Sequence, residues 1–293
     1  HRCMVRVLKV LCCSSPSIFI VLDESMNPVG LIILLIASFA STVSSSKYSS
    51  SIGFSSKPPL RMSVTNPSQL STLRITILGG GNVGSTLAQK LVQSKRFASV
   101  EIAARDPVKT TASILEMGID DVPVVASTPD SLAASHVVIL ATPGLYDDKD
   151  MKSFASSLGD MSDKVVIDAT NPLGPFTDGL QVRTWEGGIS SGEMLQRHLP
   201  KSKVYKAFNT VGVEHMREAL GKEMLIAGDP DPSYRATAEA VVAAVGFKPF
   251  YVGPIRYSRN LEAMAELWIH MAIPGLGGRD TSRNFWFSIG GDP

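Results

Sequence analysis

Between residues 74 and 94 the chain reads RITILGGGNVGSTLAQKLVQS, and this stretch restricts the possible folds more than any other. An apolar run, RITIL at 74–78, passes directly into Gly79, Gly81 and Gly84, spaced as G-x-G-x-x-G. Leu87, Ala88, Leu91 and Val92 then recur at helical spacing, and a second apolar run, SVEIAA, occupies 99–104. A glycine repeat alone is weak evidence, because glycine turns are common. Strand, glycine turn, helix and second strand in that order form the context the motif requires. Each glycine then has its own geometric role. Gly79 permits a tight turn, Gly81 lets a pyrophosphate approach the backbone, and Gly84 lets helix and strand close together. Unpaired N–H groups at the helix start would receive the phosphates of a dinucleotide.

Which dinucleotide is decided where the second strand ends. An Asp or Glu there accepts hydrogen bonds from the ribose 2′-OH of NAD and repels a 2′-phosphate. Here the strand ends Ala103-Ala104-Arg105. Arg105 can stack on adenine and pair with a 2′-phosphate, and Lys109 adds a second cation from the following helix. These residues favour NADP(H). Asp106 could instead meet the ribose, but its place before Pro107 suits a helix cap better.

From Arg74 onward short apolar runs alternate with helical stretches, the pattern of an α/β protein with a Rossmann-type, doubly wound parallel sheet. Further strands are expected at 122–126, 136–142, 164–170 and 203–209. Ala141-Thr142-Pro143 and Asn171-Pro172 follow two of them and should face the ligand, since ligands lie beyond the carboxyl ends of such strands. Past Gly212 come a helix, a strand at 223–228, a helix around 234–245, a strand at 248–252 and an amphipathic helix at 261–272, ahead of a Gly-rich tail. The expected organisation is a dinucleotide-binding domain at 73–200 and a smaller α/β C-terminal portion at 201–293 that completes the acceptor cleft.

Residues 1–72 read as a targeting presequence and disordered linker. The apolar run VGLIILLIASFA at 29–40 is shorter than the roughly 20 residues a membrane span needs, and it suits a signal-peptide core. Residues 41–72 are Ser-rich, carry Lys47, Lys57 and Arg61, and contain no acid. Together these segments resemble the two-part presequences of complex plastids; the alternative is a plain secretory signal followed by a linker. The expectation for the mature chain is no stable membrane insertion. Cys3, Cys12 and Cys13 all fall in this segment, so the body has no thiol chemistry. With 28 basic and 27 acidic side chains, the net charge of +1 supplies no field to attract nucleic acid. The expected partner is a small-molecule hydride donor or acceptor, with a homodimer left open.

The strings ITILGGGNVGSTLA, AARDP, VVIDATNPL, KAFNTVG, LIAGDPDP and LEAMAELWIHMA, in that order, resemble the NADPH-dependent deazaflavin (coenzyme F-420) reductases, also called F-420-dependent NADP oxidoreductases. The likeness spans about residues 73–280. It implies an NADP-dependent oxidoreductase in which hydride passes directly between the nicotinamide and a flavin or deazaflavin co-substrate stacked in one cleft. On that resemblance Gly79, Gly81, Asn82, Val83 and Gly84 would hold the pyrophosphate, and Arg105 and Lys109 the 2′-phosphate. Thr142, Pro143 and Asn171 would line the nicotinamide pocket, with Ala207, Phe208, Asn209 and Thr210 beside the acceptor. No residue is assigned a catalytic role, because direct hydride transfer needs positioning rather than a nucleophile or metal. Two alternatives remain: a reductase of the pyrroline-5-carboxylate or β-hydroxyacid type, and a non-catalytic NADP-binding redox sensor. His270 is expected to pack in the core of its helix, Trp268, Met264 and Met271 likewise, and His198 and His215 to be exposed.

Overall fold

The computed structural model describes residues 6–10, 18–22, 67–145, 147–176, 179–182, 188–272, 283 and 285–289. The apolar run at 29–40 lies outside them. Residues 1–57 and 58–293 form separate units. In the first, β1 (Arg6–Val10) and β2 (Ile18–Leu22) pair antiparallel.

The second unit begins with a short helix, α1 (Pro67–Leu70), and then alternates strands and helices. In chain order these are β3 (Arg74–Leu78), α2 (Asn82–Ser94), β4 (Ser99–Ala104), α3 (Pro107–Glu116), β5 (Val124–Ala126), α4 (Pro129–Ala133), β6 (Val137–Leu140), α5 (Asp148–Ser157) and β7 (Val165–Asp168). A hairpin, β8 (Leu173–Phe176) and β9 (Gly179–Val182), leads to α6 (Ser191–His198), β10 (Lys203–Lys206) and α7 (Val213–Arg217). The chain continues through β11 (Glu223–Gly228), α8 (Pro232–Val245), β12 (Lys248–Gly253) and α9 (Ser258–Ala272).

Eight strands form one sheet in the order β12-β11-β10-β7-β6-β3-β4-β5. The run from β5 to β10 is parallel throughout, and its order is that of a six-stranded dinucleotide-binding fold, with the reversal of winding at β3/β6. Beyond it β11 runs antiparallel to β10 and β12 parallel to β11. The smaller C-terminal portion therefore extends the same sheet, and residue 200 falls between β7 and its neighbour β10.

The strands are apolar on both faces because helices cover both. Ile75, Ile77, Ile102, Val137, Ile139, Val165 and Ile167 meet Leu87 and Leu91 of α2 and Val241 and Val242 of α8. The alternate residues Leu78, Ala103, Val138, Leu140, Val166 and Val204 meet Met151 of α5 and Met194 and Leu195 of α6. This near-continuous apolarity is what a doubly covered parallel strand demands. The predicted strands at 74–78, 99–104 and 223–228 are observed with those limits, while β5 is shorter than predicted and α9 starts earlier, at Ser258.

Candidate functional site

The parallel strands bring the predicted residues to one edge of the sheet. Register pairs Ala103 with Leu78, Leu78 with Leu140, Leu140 with Asp168, and Asp168 with Lys206, so β4, β3, β6, β7 and β10 end almost in one row. Gly79 to Gly84 leave β3, Arg105 leaves β4, Thr142 and Pro143 leave β6, Asn171 leaves β7, and Ala207 to Thr210 leave β10.

The glycine turn is built as its geometry requires. Gly79 has φ 111°, a left-handed value that a side chain would strain. A Cβ on Gly84 would lie 2.0 Å from the Gly79 carbonyl oxygen, so helix and strand could not approach this closely with any other residue. A Cβ on Gly81 would meet nothing within 4 Å. Gly81 is also the N-cap of α2 and makes no side-chain capping bond, so the first N–H groups of the helix, at its positive end, are left without a side-chain cap. A pyrophosphate fits this cradle.

The side chains of Arg105 and Lys109 are exposed and make no hydrogen bond or ion pair among the described residues. Asp106 is committed elsewhere: its Oδ1 accepts from the Lys109 N–H at 2.9 Å and caps α3. Two cations with no anionic partner among the described residues therefore stand just beyond the end of β4.

Beyond β6 and β7 lies a hollow lined by Leu140, Thr142, Pro143, Leu145, Asp168, Thr170 and Ser191, among others. Its two turns touch directly. A Cβ on Gly144 would fall 1.9 Å from the Asn171 carbonyl oxygen, so Gly144 is obligatory there. Asn171 and Asn209 exchange hydrogen bonds, and Asn209 Nδ2 also donates to the Leu261 carbonyl at 3.0 Å. Phe208, just before it, adopts φ 65°, a conformation that costs a non-glycine residue about 1–2 kcal/mol. Its ring, buried beside Phe247, and its N–H, 3.1 Å from Met224 Sδ, hold it there and turn Asn209 back toward α9.

Under the hollow is a buried ionic cluster that the sequence reading missed. Lys206 Nζ lies 2.7 Å from Asp168 Oδ2, 2.9 Å from Glu262 Oε1 and 2.9 Å from the Thr170 carbonyl oxygen. The side chains of Lys206, Asp168 and Glu262 are at most 2% exposed. Asp168 Oδ1 accepts from the N–H and hydroxyl of Thr170, and the Ser191 and Gly192 N–H groups at the start of α6 donate to Glu262. Asp168 Oδ2 accepts no well-aligned hydrogen bond and relies on its ion pair. Burial disfavours the Lys206 charge, but the two carboxylates outweigh it and hold its pKa above the ordinary lysine value. Burial pushes Glu262 above the usual glutamate range, against the pull of Lys206.

The histidines correct the sequence expectations. His270 is exposed rather than packed. His215 is 2% exposed, with Nε2 2.9 Å from the Arg283 carbonyl and its ring against Trp286. His198 is half-buried and meets Asp148 at 2.8 Å. Trp268 is buried as expected, stacks on Phe285, and donates its indole N–H to that residue's carbonyl.

A six-stranded dinucleotide-binding core, a bare glycine cradle and two cations unpaired among the described residues suit an NADP-linked oxidoreductase, the class to which the similar proteins point. Residues 74–172 match the family described as NADP oxidoreductase, coenzyme F420-dependent. An F420-dependent NADP reductase of Methanothermobacter thermautotrophicus is 29% identical over 219 residues, covering 70% of this chain and 91% of that protein. The solved structure of an Arthrobacter sp. FB24 protein assigned as an F420-dependent NADP reductase shares the fold at 24% identity and TM-score 0.57, covering 74% of this chain and 99% of its own. The hypothetical protein SMa0349 of Sinorhizobium meliloti is 25% identical with TM-score 0.52, covering 63% and 86%.

Proposed function

We propose that this chain transfers hydride between NADP(H) and a flavin or deazaflavin of the F420 kind. The observation that carries the cofactor half is Arg105 and Lys109, unpaired among the described residues, beside a glycine turn with open space at Gly81. Bound NADPH supplies a hydride from its nicotinamide ring. The residues of this chain bind and orient. The α2 N-terminus and Gly81 receive the pyrophosphate, Arg105 and Lys109 the 2′-phosphate, and Thr142, Pro143 and Asn171 the nicotinamide edge. Ala207, Asn209 and Thr210 are buried and would back the turn beside the acceptor. Such a transfer needs donor and acceptor carbons about 3–3.5 Å apart and little else.

The acceptor half is supported by the Methanothermobacter relative and by the Asn209 turn, which the Phe208 geometry fixes. Reductases of the pyrroline-5-carboxylate or β-hydroxyacid type follow the same core with an all-helical domain, whereas here β11 and β12 extend the sheet. The acid-free, Ser-rich stretch at 41–72 supports delivery to a plastid.

The test is a titration of the full chain with NADPH and NADH, followed by stopped-flow hydride transfer to FMN, FAD and F420. Tight NADPH binding with rapid reduction of F420 or a flavin is expected. Tight binding with no acceptor reduced would replace this reading with that of a redox sensor.

A further inference from the structure

We infer that the buried Lys206–Asp168–Glu262 cluster is an electrostatic positioning device that favours the oxidised, cationic nicotinamide over the reduced, neutral one. The inference rests on the proposed placement of the nicotinamide against the turns that follow β6 and β7.

Three observations carry it. First, the cluster does not balance: two carboxylates surround one ammonium, leaving one negative charge in a region closed to water. Lys206 Nζ donates to the Thr170 carbonyl and lies at ion-pair distance from both Asp168 and Glu262. Among the described residues every partner of Glu262 is itself an N–H donor: Lys206 Nζ, Ser191 N and Gly192 N. A proton on Glu262 would find no acceptor among them, so the contacts suit a carboxylate. Second, the cluster reaches the turn after β6, because the small hollow at these strand ends is lined by Thr142 and Pro143 on one side and by cluster residues on the other. Asp168, Thr170 and Ser191 line it, and the first two are joined through Asp168 Oδ1. Third, the sheet itself places the charge. Asp168 and Lys206 are register partners at the carboxyl ends of adjacent parallel strands, the edge where ligands bind in this architecture.

A purely structural anchor would be served as well by one carboxylate, or by apolar side chains of similar volume. A surplus negative charge does something else. Loss of hydride turns the nicotinamide into a pyridinium cation, and a fixed anion nearby, poorly screened by water, stabilises that state selectively. NADP⁺ is then held more tightly relative to NADPH, and hydride donation becomes easier.

The experiment reads the ratio Kd(NADP⁺)/Kd(NADPH), obtained by calorimetry at pH 8 on the full-length wild type, Glu262→Gln and Asp168→Asn. Each variant removes one negative charge with little change of shape. The ratio is expected to rise on the order of tenfold in each, the scale of one charge acting across about 10 Å at an effective dielectric near 20. Equal weakening of both nucleotides with the ratio unchanged, beside a lowered Tm, identifies a structural anchor and overturns the inference. The wild type is a second test that survives misfolding of the variants: NADPH binding more than tenfold tighter than NADP⁺ also overturns it. Failure of the wild type to bind either nucleotide overturns the functional reading instead.

Discussion

Asn171 and Asn209 hold each other by two reciprocal hydrogen bonds, Asn171 Nδ2 to the Asn209 carbonyl and Asn209 Nδ2 to Asn171 Oδ1, both at 3.0 Å. They join the turns after β7 and β10, which border the proposed nicotinamide and acceptor positions. Asn209 is 5% exposed, and both hydrogens of its amide are used. Asn209→Asp would place a carboxylate against the Leu261 carbonyl and Asn171 Oδ1, both acceptors. Asn209→Ala should cost about 1–3 kcal/mol in urea unfolding for the partners left unpaired, and Asn209→Asp more. In a double-mutant cycle with Asn171→Ala, strictly additive losses would show that the two residues do not act as a unit.

The glycine turn separates folding from binding. Gly84→Ala drives a methyl to 2.0 Å from the Gly79 carbonyl oxygen and should destabilise by roughly 1–3 kcal/mol or more. Gly81→Ala adds its methyl in open space and should leave Tm nearly unchanged while weakening NADPH about tenfold or more, because that space is the one proposed for the pyrophosphate. Thermal melts and titrations of both variants decide the matter. A Gly81→Ala protein that binds normally would place the phosphates elsewhere.

The cofactor preference should reside in Arg105 and Lys109 and not in Asp106. Arg105→Ala is expected to weaken NADPH by on the order of 1.5–3 kcal/mol, the value of a charge-assisted contact, and to leave NADH almost unaffected. Asp106→Ala removes the side chain that caps α3. It should lower stability by about 1 kcal/mol without altering the NADPH/NADH ratio. A shift in that ratio would mean that Asp106 reads the ribose.

The sequence revealed what local chemistry dictates. The limits of β3, β4 and β11 were legible because each apolar run stops abruptly at glycine or a charge, and the site turns followed from where those runs end. The β8–β9 hairpin was not, since LGPF and GLQV carry glycine and proline and no alternation. The ionic cluster joins residues 168, 206 and 262, whose proximity depends on strand register and on the docking of α9. One signal did exist. Glu262 sits on the buried stripe of α9 with Leu261, Ala265, Trp268 and Ala272, and a carboxylate on such a stripe requires a buried cation. His215 misled because the short helix α7 looks polar, and its burial comes from Trp286 and Arg283, about seventy residues away.

The start of α6 bears on the cluster, because its Ser191 and Gly192 N–H groups hold Glu262. That helix is fixed by Glu193. Its carboxylate accepts from the Ser190 N–H and hydroxyl in a capping box and receives the Arg259 guanidinium at 2.6 and 2.8 Å. Burial alone would raise the Glu193 pKa, but Arg259 and Ser190 outweigh it and leave it below the ordinary glutamate value. A carboxylate depressed in the folded state contributes stability above its unfolded pKa, near 4.3 for glutamate, and loses it as pH falls through the lower folded value. Glu193→Gln keeps the shape of the capping box and removes the charge. Its Tm should lie below that of the wild type at pH 7, and the gap should close as the pH drops below about 4.3. A gap that stays constant down to pH 3 would assign the loss to altered packing and not to the ion pair.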